Sequence, residues 1–190
     1  MILFIDACVR DDSRTRRLSE EVLKKITGEK PEDVKRVVLK DIDFAVTDQD
    51  YLRARDEHLA KGEFDSEMFL LARDFAAADC IVIAAPYWDL SFPAALKHYI
   101  EQINVVGITF EYTKEGFPRG LCKADRLYYV MTAGGNYIPE AYGFGYIEEL
   151  ARSFYGIENV KLIKASGLDI NGADTEGIMR QAILDIEKAL

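Results

Sequence analysis

The sequence predicts an α/β domain built on a doubly wound parallel β-sheet. Short apolar runs alternate with segments of helical periodicity along the whole chain, a pattern typical of parallel strands joined by crossover helices. The runs are mostly continuous rather than alternating, which indicates strands buried on both faces. With 190 residues, 49% of them hydrophobic, we expect a single domain spanning residues 1–190 with a substantial core.

In the first half of the chain, apolar runs predict strands, and apolar residues at helical spacing predict the helices between them. Leu18, Val22 and Ile26, for example, share one face of a helix. Gly62 ends a short helix within the long polar connection 40–65, and Ser66 caps the helix that follows. The elements are a strand at Ile2–Asp6, a helix at Arg14–Ile26, a strand at Val34–Leu39, a helix at Asp50–Lys61, the helix after Ser66 and a strand at Cys80–Ala85.

The second half continues the alternation after one interruption. The segment 107–121 alternates apolar and polar residues, which predicts an extended excursion from the main sheet. The other elements follow from apolar runs and from helical spacing. They are a helix from Pro93 to Ile103, a strand at Leu127–Thr132, a helix over 146–157, a strand at Val160–Ala165 and a helix at Asp174–Ala189.

The number of strands bears on their order in the sheet, which periodicity by itself leaves open. Five strands with right-handed crossovers fit the flavodoxin-like order 2-1-3-4-5 better than a six-stranded dinucleotide fold. In such sheets ligands bind beyond the carboxyl ends of the strands, where the strand order reverses. The loops after strands one, three and four are therefore the candidate site.

Charge and cysteine usage exclude several classes of function. The net charge of −9 argues against nucleic acid and anionic membrane surfaces, which require a basic face. Three widely separated cysteines indicate neither a disulfide framework nor a metal site. No apolar stretch has the length of a membrane span, and the amino terminus lacks the features of a secretory signal. We expect a cytoplasmic protein.

The first loop ends in Ser13-Arg14-Thr15 at the start of a helix and lacks the G-x-G-x-x-G turn of dinucleotide sites. Two hydroxyls, free backbone N–H groups and the helix dipole suit one terminal phosphate. Ser13 as a simple N-cap explains the same residues. However, Arg14, Arg16 and Arg17 crowd a helix end where cations are unfavourable. Pairs at i,i+4 from Arg16 to Glu20 and from Arg17 to Glu21 offset this only in part. A bound dianion would relieve the conflict more directly.

The second and third loops carry an aromatic pair and a glycine pair. Tyr87 and Trp88, the only tryptophan, follow Pro86 in a loop, where they suit a flat aromatic ligand or a subunit interface. Gly134-Gly135 allows close approach of the backbone to a ligand, or simply a tight turn. A phosphate site, an aromatic wall and a close-approach backbone at one sheet end together match the parts of flavin mononucleotide (FMN).

The run from about Ile81 to Gly135 carries a family resemblance. "IVIAAPYWDLSFPAALKHYIEQINVVGITFEYTKEGFPRGL" followed by "TAGG" resembles the flavodoxin-like FMN-dependent NAD(P)H:quinone reductases and azoreductases. The resemblance implies that Ser13, Arg14 and Thr15 hold the FMN phosphate, that Pro86, Tyr87, Trp88, Asp89 and Leu90 lie along the isoalloxazine ring, and that Thr132, Ala133, Gly134 and Gly135 contact its polar edge.

The same resemblance implies the reaction and the assembly. NADH or NADPH would reduce the flavin, and a quinone, azo compound or similar flat acceptor would then oxidise it; a homodimer would place the flavin at its interface. No protein residue is assigned as a catalytic acid. The chain departs from the family pattern in having Asp6-Ala7-Cys8 where a hydroxyl residue is usual, and Asp89 where asparagine is usual. The alternative function is that of a flavodoxin-type electron carrier that does not itself oxidise NAD(P)H.

The remaining candidate side chains have simpler explanations than chemistry. His58 lies in a polar connection and is expected on the surface, and His98 is expected to be half-buried on a helix. Cys8 follows the first strand and is expected to be a small buried hydrophobe rather than a reactive thiol.

Overall fold

A computed structural model describes residues 1–28 and 33–190 of the protein. Its strands are β1 (Ile2–Asp6), β2 (Val34–Val38), β3 (Cys80–Ala84), β4 (Phe110–Tyr112), β5 (Pro118–Gly120), β6 (Arg126–Thr132) and β7 (Asn159–Ala165). Within the described residues, five parallel strands form the main sheet in the order β2-β1-β3-β6-β7. The predicted fold class and strand order are confirmed, and the carboxyl ends of all five strands meet at one rim.

Helices cover both faces of this sheet. Their bounds are α1 (Arg14–Thr27), α2 (Gln49–Lys61), α3 (Leu70–Ala77), α4 (Ala94–Ile103), α5 (Phe144–Glu149) and α6 (Thr175–Ala189), with short 3-10 turns at Leu39–Asp41, Glu67–Phe69 and Glu140–Tyr142. None of the helices in residues 1–28 and 33–190 combines the length and the apolar character needed to cross a bilayer.

The hydrophobic core has two halves, one on each face of the sheet. Successive side chains of a strand point to opposite faces, so Leu3 and Ile5 pack on the side of α3, α4 and α5, while Phe4 packs against α1 and α6. The central strands β1, β3 and β6 are buried almost throughout, as continuous apolar runs predict. Because both of its faces are covered, the sheet is a rigid support for the loops at its carboxyl-end rim.

The extended excursion over 107–121 is an antiparallel β-hairpin of β4 and β5. It packs on the helix predicted over 146–157, which the structure divides into α5 and a π-helical segment at Leu150–Tyr155. Tyr155 is buried there and its hydroxyl donates to Asn104 Oδ1 at 2.7 Å. Helical spacing predicts an ordinary α-helix here, and the π-helical turn lies where β5 packs against this segment.

Candidate functional site

A cavity of about 330 Å³ opens at the rim where the carboxyl ends of the strands meet. Its walls come from the loops after β1, β3, β6 and β7, so the three predicted loops converge as expected and a fourth joins them. The lining residues are Val9, Arg10, Asp12, Ser13, Arg14, Thr15, Pro86, Tyr87, Trp88, Thr132, Ala133, Gly134 and Asp169.

The start of α1 forms one wall of the cavity. Ser13 is the N-cap and its hydroxyl oxygen accepts the N–H of Arg16 at 3.3 Å. The first N–H groups of an α-helix have no acceptor within the helix, and Ser13 satisfies only one of them. The N–H groups of Arg14 and Thr15 therefore retain capacity for an anion beside the positive end of the helix dipole.

Thr15 joins this helix start to the end of β6. Its hydroxyl lies 2.7 Å from that of Thr132, and the two residues are only 1% and 8% exposed. A buried hydrogen bond of this kind keeps the start of α1 and the Gly134-Gly135 loop in a constant relative position.

The Thr15–Thr132 bond leads to a stability prediction. Thr15→Val removes one hydroxyl and leaves the other buried without its partner, so we expect the free energy of unfolding to fall by about 1–2 kcal/mol. Urea unfolding measures the change. If the bond is the cause, the double variant Thr15→Val/Thr132→Val loses less than the sum of the two single variants; strict additivity would contradict it.

The arginines of the first helical turn do not form the predicted pairs with Glu20 and Glu21, and those two pairings were wrong. The observed pairs are Arg16–Asp6, Arg17–Glu176 and Arg36–Glu20. Asp6 lies on β1 and Glu176 lies on α6, while Glu20 pairs with Arg36 of β2. Partners from other elements thus offset the unfavourable charge at the start of α1, which no i,i+4 rule can foresee.

Arg14 is paired as well, with the loop after β7. Its guanidinium donates to Asp169 Oδ1 at 2.8 Å and to the carbonyl oxygen of Leu168 at 3.3 Å. Arg10, by contrast, lines the cavity and makes no ion pair within the described part of the chain. Asp12 and Asp169 bring two carboxylates to the same cavity, and Asp12, like Arg10, makes no ion pair among the described residues.

The loop after β3 presents the aromatic pair. The N–H of Tyr87 donates to the Thr132 carbonyl at 2.9 Å, which ties this loop to β6. The hydroxyl of Tyr87 is buried without a hydrogen-bond partner among the described residues. Trp88 is 40% exposed, so a large apolar side chain stands on the cavity wall with one part in contact with solvent.

A tight turn follows Trp88. Its backbone pairs with that of Ser91 through hydrogen bonds of 3.1 and 2.7 Å, and the two central residues, Asp89 and Leu90, have φ values of 50° and 67°. Two positive φ angles define a type I′ turn, which normally carries Asn-Gly. A leucine in this conformation is strained, and strain of this kind concentrates at functional sites.

The strain at Leu90 is testable by stability measurements. Leu90→Gly should raise the free energy of unfolding by about 0.5–1 kcal/mol, because relief of left-handed strain exceeds the entropic cost of glycine. Leu121 is the matched control, since its exposure is similar and its φ is not positive; Leu121→Gly should destabilise. Urea unfolding of both variants measures the effect, and a loss of stability in both would refute the assignment of strain.

Gly134 and Gly135 differ in how closely other residues surround them. A Cβ on Gly134 would overlap the Asp169 carboxylate oxygen and come within 3.1 Å of Cγ, whereas a Cβ on Gly135 would meet no atom within 4 Å. The N–H of Asp169 also donates to the Gly134 carbonyl at 3.0 Å. Gly134 is therefore packed against Asp169, and Gly135 faces open space.

The structure brings together most of the residues that the sequence predicts for the site. Ser13, Arg14, Thr15, Pro86, Tyr87, Trp88, Thr132, Ala133 and Gly134 all line the cavity, while Asp89, Leu90 and Gly135 adjoin it without being part of its lining. Val9, Arg10, Asp12 and Asp169 were missed. The first three lie in the predicted loop after β1. Asp169 follows β7, the strand next to β6, so the strand order was the signal that could have found it.

The side chains set aside on sequence grounds have structural roles. Burial raises the pKa of the Cys8 thiol to about 12, so it is a buried, protonated group, as predicted. His58 Nδ1 lies 2.7 Å from Glu63 Oε2. His98 is partly buried, stacks on Phe44 with ring centroids 4.6 Å apart, and lies 3.0 Å from the Ala45 carbonyl oxygen.

Comparison with known proteins matches this architecture. A family model described as flavodoxin-like fold matches residues 1–190. The chain is similar to the FMN-dependent NADH:quinone oxidoreductase 2 of Clostridium acetobutylicum, with 35% identity over 192 residues covering 96% of this chain and 94% of that protein. It is 34% identical to the FMN-dependent NADH:quinone oxidoreductase of Clostridium perfringens over 198 residues, covering 100% of this chain and 96% of that protein.

A solved structure gives the same result for the fold. The crystal structure of an azoreductase from Bacillus anthracis aligns with a TM-score of 0.83 at 24% identity, covering 99% of this chain and 97% of that one. The matched family model and the two relatives each span nearly the whole chain. The chain therefore belongs to the flavodoxin-like family that includes the FMN-dependent NADH:quinone oxidoreductases.

Proposed function

We propose that the protein is an FMN-dependent oxidoreductase that takes electrons from NADH or NADPH and passes them to quinones, azo compounds or similar flat acceptors. The observation that carries the proposal is the convergence of the start of α1, an aromatic loop and the Gly134 loop on one cavity. The names of the relatives from the two clostridia supply the cofactor, the donor NADH and the quinone. The single domain proposed for this activity is the whole chain, 1–190.

The residues present fit FMN. The cavity, at about 330 Å³, lies within the usual range for small-molecule sites. Gly134 and Tyr87 both line it, and a side chain at Gly134 would collide with Asp169 of the same lining. The guanidinium of Arg10 and the helix N–H groups suit the phosphate, while the aromatic loop suits a flat ring.

Each wall then has a defined task. Ser13, Arg14 and Thr15 are expected to hold the phosphate through hydroxyl and backbone N–H groups. The segment from Pro86 to Leu90 orients the ring system, and the backbone N–H groups of Gly134 and Gly135 are expected to face its polar edge, where they favour added negative charge. The N–H of Ala133 is used in the sheet, where it donates to the Ala165 carbonyl. When bound, FMN supplies the hydride chemistry, and the protein provides position, exclusion of water and charge stabilisation.

A homodimer is part of the proposal. Tyr137 and Tyr142 are 80% and 61% exposed, and the Ser91 hydroxyl donates to the Tyr142 carbonyl at 2.8 Å, which places Tyr142 beside the turn after Trp88. Exposed aromatic side chains clustered near a ligand cavity favour a covering partner. Light scattering is expected to give twice the mass of one chain, and a monomer at micromolar concentration would reject the dimer.

The proposed location is the cytoplasm. Cys8, Cys80 and Cys122 are all free thiols, and reducing compartments maintain that state. Fractionation of cells expressing the protein tests this location.

The test of the proposed function begins with the colour of the purified protein. We expect a yellow protein that releases FMN on denaturation, and bleaching of the bound flavin when NADH or NADPH is added without oxygen. A quinone or azo dye should then restore the oxidised spectrum. Bound flavin that is not reduced without a separate reductase would indicate an electron carrier, and a colourless protein that stays empty in excess FMN would overturn the proposal.

A further inference from the structure

Arg16 occupies the inner side of the loop between β1 and α1. Its Nη1 donates to the carbonyl oxygens of Arg10 and Asp11, both at 2.9 Å, and its Nη2 donates to that of Cys8 at 2.9 Å. One guanidinium thus satisfies three carbonyl groups of a single loop. Arg16 itself is not part of the cavity lining, so it acts on the loop from behind.

Asp6 anchors this guanidinium to the sheet. It is the last residue of β1 and is only 2% exposed. Its Oδ2 accepts Nε of Arg16 at 2.5 Å, and its Oδ1 accepts the N–H of Cys8 at 2.8 Å. A buried carboxylate with both oxygens occupied has a fixed orientation, and it passes that orientation to the loop through Arg16.

The carbonyl pattern matters for an anion in the cavity. Carbonyl oxygens carry partial negative charge and repel phosphate, whereas a loop that turns its N–H groups outward forms an anion-binding concavity. Val9, Arg10 and Asp12 of this loop line the cavity. Because the carbonyls of Cys8, Arg10 and Asp11 are held by Arg16, those oxygens are directed away from the cavity.

We propose that Asp6 and Arg16 are positioning residues that set the loop 7–12 for a phosphate group. The inference rests on the proposed function, since it requires that the cavity takes the phosphate end of FMN. Neither residue lines the cavity. We therefore expect their effect to reach the phosphate through the loop and to leave the contacts of the flat ring unchanged.

The experiment compares FMN with riboflavin, which has the same ring system and lacks the phosphate. Arg16→Lys keeps the charge but cannot donate to Asp6 and three carbonyls at once. We expect its dissociation constant for FMN, measured by flavin fluorescence quenching, to rise at least about tenfold, which is about 1.4 kcal/mol. The dissociation constant for riboflavin should stay near that of the wild type, so the preference for FMN falls.

Arg17→Lys is the matched control. Arg17 is the next residue of the same helix and makes a two-point pair with Glu176 at 2.8 and 2.9 Å, away from the loop. Its FMN-to-riboflavin preference should not change. Asp6→Asn keeps the shape of the Asp6 side chain and removes its charge. It should therefore also lower the preference for FMN over riboflavin, by a smaller factor than Arg16→Lys. If Arg16→Lys does not fold, Asp6→Asn provides the test.

The outcomes separate this inference from the proposed function. An unchanged preference in Arg16→Lys and Asp6→Asn, or equal weakening of FMN and riboflavin, overturns the positioning role while FMN binding by the wild type stands. Equal weakening is the result that a merely structural role predicts. A wild type that binds neither flavin overturns the proposed function and this inference with it.

Discussion

Gly134→Val is expected to abolish most retention of FMN. A Cβ at this position overlaps the Asp169 carboxylate and comes within 3.1 Å of Cγ, so either Asp169 leaves Arg14 or the backbone of Gly134 recedes from the cavity. A receding backbone would withdraw the N–H groups proposed to face the flavin, and hydrogen bonds to charged groups are worth about 1.5–3 kcal/mol each. Since 1.4 kcal/mol is about tenfold in affinity, we expect the dissociation constant for FMN to rise by more than about tenfold.

The neighbouring glycine supplies the control for Gly134. Gly134→Ala and Gly135→Ala add the same methyl group, but only the first meets Asp169; the second enters open space. Fluorescence titration with FMN should show weaker binding for Gly134→Ala and nearly unchanged binding for Gly135→Ala. Equal affinities for the two alanine variants would show that the crowding of Gly134 by Asp169 does not matter for FMN binding.

Gly120→Ala is expected to cause the largest loss of stability among the substitutions considered. Gly120 ends β5, and a Cβ there would overlap the Tyr155 carbonyl and the Gly156 amide nitrogen. These are backbone atoms that cannot rotate away, so the hairpin β4–β5 has to separate from the π-helical segment. Overpacking costs about 1–3 kcal/mol and sometimes more, and here we expect the upper end of that range, about 3 kcal/mol.

Thermal unfolding of FMN-free protein measures this loss. For a chain of this size, a loss of about 3 kcal/mol lowers Tm by roughly 6–12 °C. Gly143→Ala is the control, because its Cβ would meet neighbours only at 3.8 Å, an ordinary contact distance. A Gly120→Ala variant as stable as Gly143→Ala would show that the hairpin does not depend on this contact.

Most of the fold was predictable because its signals are local. The buried strands Cys80–Ala84 and Arg126–Thr132 are continuous apolar runs, and α1 is an amphipathic segment with a serine cap. The bounds of these elements differ from prediction by one or two residues. The number of strands and the rule for crossover handedness then select one strand order, which the structure confirms.

The candidate site was predictable to the level of loops and not of contacts. Topology requires that the loops after β1, β3 and β6 share one rim, and nine predicted residues do line one cavity. The ion pairs of Arg14, Arg16 and Arg17 were not predictable, since Asp169, Asp6 and Glu176 lie far from them in the chain or on other elements.

The sequence by itself therefore determined the sheet, its two apolar faces and the rim at which a ligand binds, because burial and periodicity are written into consecutive residues. Only the tertiary structure decided which carboxylate meets which arginine, that Asp89 and Leu90 occupy a strained turn, and that Gly134 rather than Gly135 is the crowded glycine. These features depend on distances of a few ångströms between separate elements. Such distances follow from packing of the whole chain and are not encoded in any one segment.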